Sequence, residues 1–174
     1  LAISHPDLTG GGATEALASA VDLAPTLLDI AGLDEAAIAE RFPGLHGRSL
    51  LPALEGQPVR DGVLTAVEII TTLDDGYWRG LGQPDGPERM MAGTLRPDWT
   101  KRGFLRGWTD DRYTFARYFS PLAPNRPRNV DELTQLNDVV LYDRASDPSE
   151  TTNLAYEAEH QDTVGRLLSK LEGA

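Results

Sequence analysis

Two alternating runs facing each other across a polar turn constrain this chain more than any other feature. Phe104, Arg106 and Trp108 alternate with Leu105, Gly107 and Thr109. Asp110-Asp111-Arg112 supplies a turn, after which Tyr113, Phe115, Arg117 and Phe119 alternate with Thr114, Ala116 and Tyr118. Successive side chains on a strand point to opposite faces, so this period of two predicts a hairpin. Val139-Val140-Leu141-Tyr142 reads as another strand, and Gly62 to Ile70 is also β-rich. From His160 to Leu171 the period changes, and Val164, Leu167, Leu168 and Leu171 share one face of a helix. The expected class is therefore α+β: a small antiparallel sheet of about four strands packed with a C-terminal helix. The chain's 174 residues are enough for a real core.

A helical entry segment precedes the sheet. Leu1 to Ser4 reads as a short buried strand, and because the chain opens inside an apolar stretch, the strand looks cut from something longer. Ala16, Leu17, Ala20, Leu23, Leu27, Leu28, Ile30 and Ala31 recur at helical spacing, with Pro25 inside the pattern. Proline is tolerated only in a first turn, so Asp22 is expected to cap a helix that Gly32 closes in the left-handed region. A short helix is expected over Asp34 to Arg41. Ser49 would cap a helical turn whose Leu50, Leu51 and Leu54 pack inward. Asp74 to Lys101 holds glycines, prolines and two tryptophans without a clear period, and reads as a long loop or insertion.

Composition excludes several chemistries. The chain has no cysteine, which removes disulfides, thiolate metal sites and a Cys nucleophile. His5, His46 and His160 are too scattered for a histidine metal cluster. No apolar run approaches the roughly 18–20 residues of a membrane helix. A formal net charge of -11 disfavours nucleic acid and anionic membranes. The charge is uneven, however. Between Arg89 and Arg128, nine cations face three carboxylates, about +6, which leaves the remainder near -17. Two readings stand: surface charge alternating on hairpin strands, or a basic wall beside an anionic substrate or an acidic partner.

Three segments resemble the C-terminal half of sulfatases, members of the alkaline phosphatase superfamily. Val21-Asp22-Leu23-Ala24-Pro25-Thr26-Leu27-Leu28-Asp29-Ile30-Ala31-Gly32 is similar to V-D-L-x-P-T-L-L-D-L-A-G. Gly47-Arg48-Ser49-Leu50-Leu51-Pro52-Ala53-Leu54 is similar to G-x-S-L-L-P-L-L. Leu141-Tyr142-Asp143 through Asp147-Pro148-Ser149-Glu150 to Asn153-Leu154-Ala155 resembles the family's terminal L-Y-D-L-x-x-D-P-x-E-x-x-N-L-A. Residues 71–101 match no part of that pattern.

The resemblance implies a strand-helix segment over 1–56 belonging to a parent α/β sulfatase fold, then a C-terminal antiparallel-sheet subdomain over 57–174. It implies hydrolysis of sulfate esters by a formylglycine made from Cys or Ser in a C/S-x-P-S-R motif, beside a calcium ion in the intact parent enzyme. This chain departs from that pattern: no Ser is followed by x-Pro-Ser-Arg, so no catalytic residue, metal ligand or cofactor is expected within it. The expected partners are a missing N-terminal catalytic portion and an anionic sulfate-ester substrate, with an oligomer left open. A noncatalytic interaction module, or a piece of a phosphonate or phosphate monoester hydrolase of the same superfamily, are the alternatives. Candidate substrate-binding residues are His5, which follows the first strand, and Trp99, Lys101 and Arg102, which end the unmatched loop within the basic window. Asp74-Asp75 imitates a strand-then-carboxylate metal motif, but its place after the second motif favours loop polar residues.

Overall fold

The computed structural model describes residues 2–4, 6, 12–68 and 74–173. The chain forms two compact units, Leu1–Val63 and Leu64–Ala174.

The first unit is helical. A short 3-10 turn, Ala20–Asp22, leads into α1 (Leu23–Ile30), followed by α2 (Glu35–Arg41) and α3 (Leu51–Leu54). Pro25 lies in the first turn of α1 as expected, but Asp22 does not cap it with its side chain. The carboxylate is fully buried and points elsewhere. It accepts from Ser19 N at 2.7 Å, from Arg48 N at 2.9 Å and from the Arg60 guanidinium. One turn on, the Thr26 hydroxyl donates to Asp22 O at 2.6 Å and accepts from Leu50 N at 2.9 Å. The first two motifs are therefore one object: side chains of the first satisfy backbone N–H groups of the second. Gly47 makes that approach possible, since a Cβ there would lie 2.0 Å from Val21 O.

Gly32 closes α1 at φ +91°, with Leu33 N donating back to Leu28 O at 3.0 Å, a left-handed cap as expected. Asp34 caps α2, its side chain accepting from Ala37 N at 2.8 Å. Two further expectations fail in this unit. Ala2 to Ser4 have no strand pairing; Ile3 instead packs on a small cluster of Leu50, Ala53 and Val59. Leu54 is half exposed, because a four-residue α3 has a single inward face and Leu50 and Ala53 occupy it.

The second unit carries the sheet. Strands β1 (Val63–Glu68), β2 (Phe104–Thr109), β3 (Tyr113–Phe119) and β4 (Asp138–Asp143) lie in that spatial order. β2 and β3 pair antiparallel from Phe104↔Phe119 to Thr109↔Thr114, and β3 pairs antiparallel with β4. Asp110 makes the hairpin turn, its carboxylate accepting from Arg112 N at 2.9 Å and Tyr113 N at 2.7 Å. Helix α7 (Gln161–Gly173) buries Val164, Leu167, Leu168 and Leu171 against Trp108, Phe115, Leu133, Val139 and Leu141. Burying each such side chain contributes roughly 1.5–3 kcal/mol, so this cluster anchors the unit. The expected four strands and terminal helix are what the structure has, an α+β arrangement.

The third motif finishes β4. Asn153 acts as a one-residue strand partner: its Oδ1 accepts from Leu141 N at 3.0 Å and its Nδ2 donates to Val139 O at 2.9 Å. Leu154 N adds a bond to Leu141 O at 2.8 Å. A strand edge left bare would template pairing with another chain, and this turn covers it. Asp147 fastens the turn by accepting from Thr151 N and Thr152 N, each at 2.8 Å. Asp143, at the end of β4, receives a two-pronged Arg112 at 3.0 and 2.7 Å. Arg112 holds its carboxyl down to about 2, from an ordinary 3.8.

Three helices depart from the sequence reading. Residues 74–101 hold α4 (Asp75–Leu81) and α5 (Gly86–Met91) where a loop was expected. α6 (Val130–Leu136) follows the Pro-rich 121–128 segment and sends Leu133 into the core. Among the described residues, no helix is long and apolar enough to cross a membrane.

Candidate functional site

The insertion between β1 and β2 holds three of the four residues singled out by sequence, so its construction decides what they can do. α4 starts at Asp74, whose carboxylate accepts from Tyr77 N at 3.2 Å. α4 and α5 meet backbone to backbone at Gly86, where a Cβ would lie 2.3 Å from Leu81 O. Tyr77 and Leu95 are buried, while the rings of Trp78 and Trp99 stay exposed. The chain then returns to its starting point. Asp98 N donates to Asp74 Oδ2 at 2.6 Å and Lys101 Nζ to Asp74 Oδ1 at 2.8 Å. Asp74 is thus a knot at the base of the insertion, holding its first helix to its exit. Lys101, with Asp98 N adding to it, keeps the Asp74 carboxyl near 2, well under the ordinary 3.8. Asp74 in return raises the Lys101 ammonium.

The three candidate residues of the insertion all have partners within the chain. Trp99, Lys101 and Arg102 are adjacent, but Lys101 is engaged by Asp74. Arg102 donates to Asp138 Oδ1 at 2.6 Å and to Gln135 O at 3.3 Å. Trp99 contributes its carbonyl to Ser120 Oγ at 2.8 Å and leaves its ring at the surface. His5 lies outside the described residues. Asp74 and Asp75 do not act together as ligands, since Asp75 pairs with Arg79 along α4. No group of three or more His, Cys, Asp or Glu among the described residues is disposed to hold a metal ion.

The basic window as a whole resolves the same way. Seven of its nine cations pair with carboxylates: Arg89–Asp85, Lys101–Asp74, Arg102–Asp138, Arg106–Glu68, Arg112–Asp143, Arg117–Glu172 and Arg128–Glu132. Every one of those carboxylates lies outside the window. The lopsided charge along the sequence is therefore the two halves of a set of ion pairs. Arg96 and Arg126 are left without a carboxylate among the described residues, and Arg96 donates to Gly93 O at 2.7 Å.

A buried cation missed by the sequence reading sits beside Arg126. The signal for it is in the strand pattern: Arg117 alternates in step with Phe115 and Phe119, which puts it on their face of the sheet. It is 5% exposed, stacked 4.9 Å from the Phe119 ring centroid. It donates to Asn137 Oδ1 at 3.2 Å, to Asn125 O at 3.1 Å and to Glu172 Oε1 at 2.8 Å. It therefore ties the 120–128 segment to the end of α7. An open groove of about 580 Å³ runs between those two walls, lined by Arg126, Arg128 and Val130 on one side and Gly165, Ser169 and Glu172 on the other.

No family model matches the chain, and no curated protein matches it. Solved structures do. BT4656, determined in complex with its substrate D-glucosamine-2-N,6-O-disulfate, aligns with 87% of this chain over 22% of its own, at 17% identity and a TM-score of 0.51. The phosphonate monoester hydrolase of Agrobacterium radiobacter aligns at 21% identity and a TM-score of 0.46, over 87% of this chain and 23% of its own. A Bacteroides fragilis protein assigned as a sulfatase, yidJ, aligns at 20% identity and a TM-score of 0.47, over 86% and 23%. The chain spans under a quarter of the length of these structures, and the likeness to BT4656 is one of fold.

Proposed function

We propose that these residues form the C-terminal part of a sulfatase-type hydrolase of the alkaline phosphatase superfamily. In this role the chain completes the fold of a larger catalytic unit and shapes one side of its substrate cleft, while the nucleophile lies outside these 174 residues. The observation that carries the reading is the joint behaviour of the three motifs. Each resembles its sulfatase counterpart in sequence, and each does a definite structural job. Asp22 and Thr26 lock the first motif to the second. Asp147 and Asn153 close the third over β4. The fold likeness to BT4656 supports the same reading.

The chemistry such an enzyme performs is not assigned to residues of this chain. A formylglycine precursor needs a Cys or Ser followed by x-Pro-Ser-Arg, and the sequence has neither. Calcium needs six or more oxygen ligands, whereas the carboxylates best placed by sequence, Asp74 and Asp75, are committed to Lys101 and Arg79. Among the described residues no cluster of three or more such ligands is formed, and in this reading the ion is held outside this chain, as the nucleophile is.

The test has two arms. The 174-residue chain, assayed with an aryl sulfate and calcium, is expected to show no turnover. The protein from its native source is expected to be longer and to yield a peptide labelled by an aldehyde-reactive hydrazide, marking a formylglycine. Turnover by the chain alone, or a native protein without such a peptide, overturns the proposal.

A further inference from the structure

We propose that the groove between Arg126 and α7 is a binding site for an anionic saccharide. Three observations converge on it. First, pairing consumes seven cations of the basic window and leaves the Arg126 guanidinium without a partner among the described residues, on the wall of a cavity of about 580 Å³. That volume is within the range of small-molecule sites, roughly 300–1,000 Å³. Arg128 stands beside it, just before α6, and its side chain pairs only with Glu132 of that helix, at 3.2 Å.

Second, the groove is preorganised. The buried Arg117 holds Asn125, next to Arg126, and Glu172 on the opposite wall. Pro127 is buried between Arg126 and Arg128, which fixes the backbone that carries both cations. A ligand therefore meets walls already set by one guanidinium, and does not have to order them.

Third, the donors and acceptors differ in kind across the groove. Arg126 and Arg128 offer N–H groups to an anion. On the other wall Glu172 and Ser169 offer acceptors suited to hydroxyl groups, with Ser169 Oγ already donating to Gly165 O at 3.0 Å. Val130 and Gly165 add apolar lining on which a ring face can rest. A sugar bearing a sulfate ester or a carboxylate presents all three elements at once. A nucleic acid does not suit the groove, which has no aromatic lining for base stacking, carries the Glu172 carboxylate, and belongs to a chain of net charge -11.

The test is a titration of the 15N-labelled full chain at low ionic strength. The probes are a sulfated heparin-derived hexasaccharide, a carboxylated oligogalacturonate of similar length, the desulfated heparin hexasaccharide, and inorganic sulfate. At least one of the two anionic saccharides is expected to shift the amides of Arg126, Gly165 and Ser169. Desulfation should weaken the heparin response if that is the ligand, and inorganic sulfate should bind about tenfold or more weakly than the saccharide. The double variant Arg126→Ala/Arg128→Ala is expected to lose about tenfold or more in affinity, while Arg89→Ala, outside the groove, keeps it. Both variants alter exposed side chains, so an unchanged spectrum elsewhere verifies folding. No shift with either anionic saccharide, equal binding of inorganic sulfate, or an unaffected double variant overturns the proposal. Because the readout is binding and not turnover, its failure leaves the proposed hydrolase reading untouched.

Discussion

Replacing Thr26 by Val should open the first unit without touching the second. The substitution keeps shape and volume but removes the hydroxyl that donates to Asp22 O at 2.6 Å and accepts from Leu50 N at 2.9 Å. Thr26 is 2% exposed, so water cannot replace either bond. An orphaned buried N–H costs about 1–3 kcal/mol, and a lost hydrogen bond adds about 0.5–1.5. A total near 2–3 kcal/mol corresponds to about 30- to 140-fold in the opening equilibrium. Fluorescence cannot report it, because every Trp and Tyr of the chain lies from Tyr77 onward, outside this unit. Amide hydrogen exchange can. Peptides covering α1 and α3 should lose that factor of protection, or exchange fully if the unit is less stable than the loss. Peptides covering β4 and α7 should not change. Thr26→Ser retains the hydroxyl and should keep most of the protection. Equal losses for Ser and Val, or no loss for Val, would refute the claim that this hydroxyl joins the two motifs.

Acid should act on the second unit through two named carboxylates. Asp74 and Asp143 each have a folded pKa of about 2 against an ordinary 3.8, so their stabilisation is complete above pH 3.8 and fades as pH falls toward 2. Carboxyl 13C titration should show both midpoints near 2, and Lys101→Met should move that of Asp74 upward while leaving Asp143 in place; midpoints near 3.8 in the parent would contradict the two ion pairs. Leu133→Ala should cost about 2–5 kcal/mol in urea unfolding, since Leu133 is fully buried in the cluster that holds α7 to the sheet. Leu136→Ala, half exposed on the same helix, should cost under about 0.5 kcal/mol.

Where a segment's structure followed from its own residues, the sequence showed it. The hairpin from Phe104 to Phe119 has the register its alternation implied, and α7 buries the four residues its period selected. Where structure came from a distant partner, the sequence was silent. Asp22 looked like a cap because it precedes a helix with Pro25, yet Arg48 N and Arg60, far along the chain, claim its carboxylate. α4 and α5 are short and mostly exposed, so neither carries an apolar stripe to read. They are held by Asp74, whose partners Asp98 and Lys101 lie beyond both helices. α6 did leave a local sign: Asn129 caps it by accepting from Glu132 N, and the Glu132 carboxylate accepts from Arg128 N, one residue before the cap.

The candidate site teaches the same lesson about charge. Counting along the chain gives a window of excess cations, which can be read as alternating surface charge on hairpin strands or as a wall awaiting an anion. Ion pairs form in space, however, and a sheet brings together strands whose charges were written far apart. Arg106 meets Glu68, Arg102 meets Asp138 and Arg117 meets Glu172, each across more than thirty residues. A run of like charge in a sequence therefore measures what its partners elsewhere must supply before it measures what a ligand could use. In this chain the useful quantity is the remainder after pairing. That remainder points away from Lys101 and Arg102, where sequence reasoning placed it, and toward Arg126, which sequence reasoning had counted but never singled out.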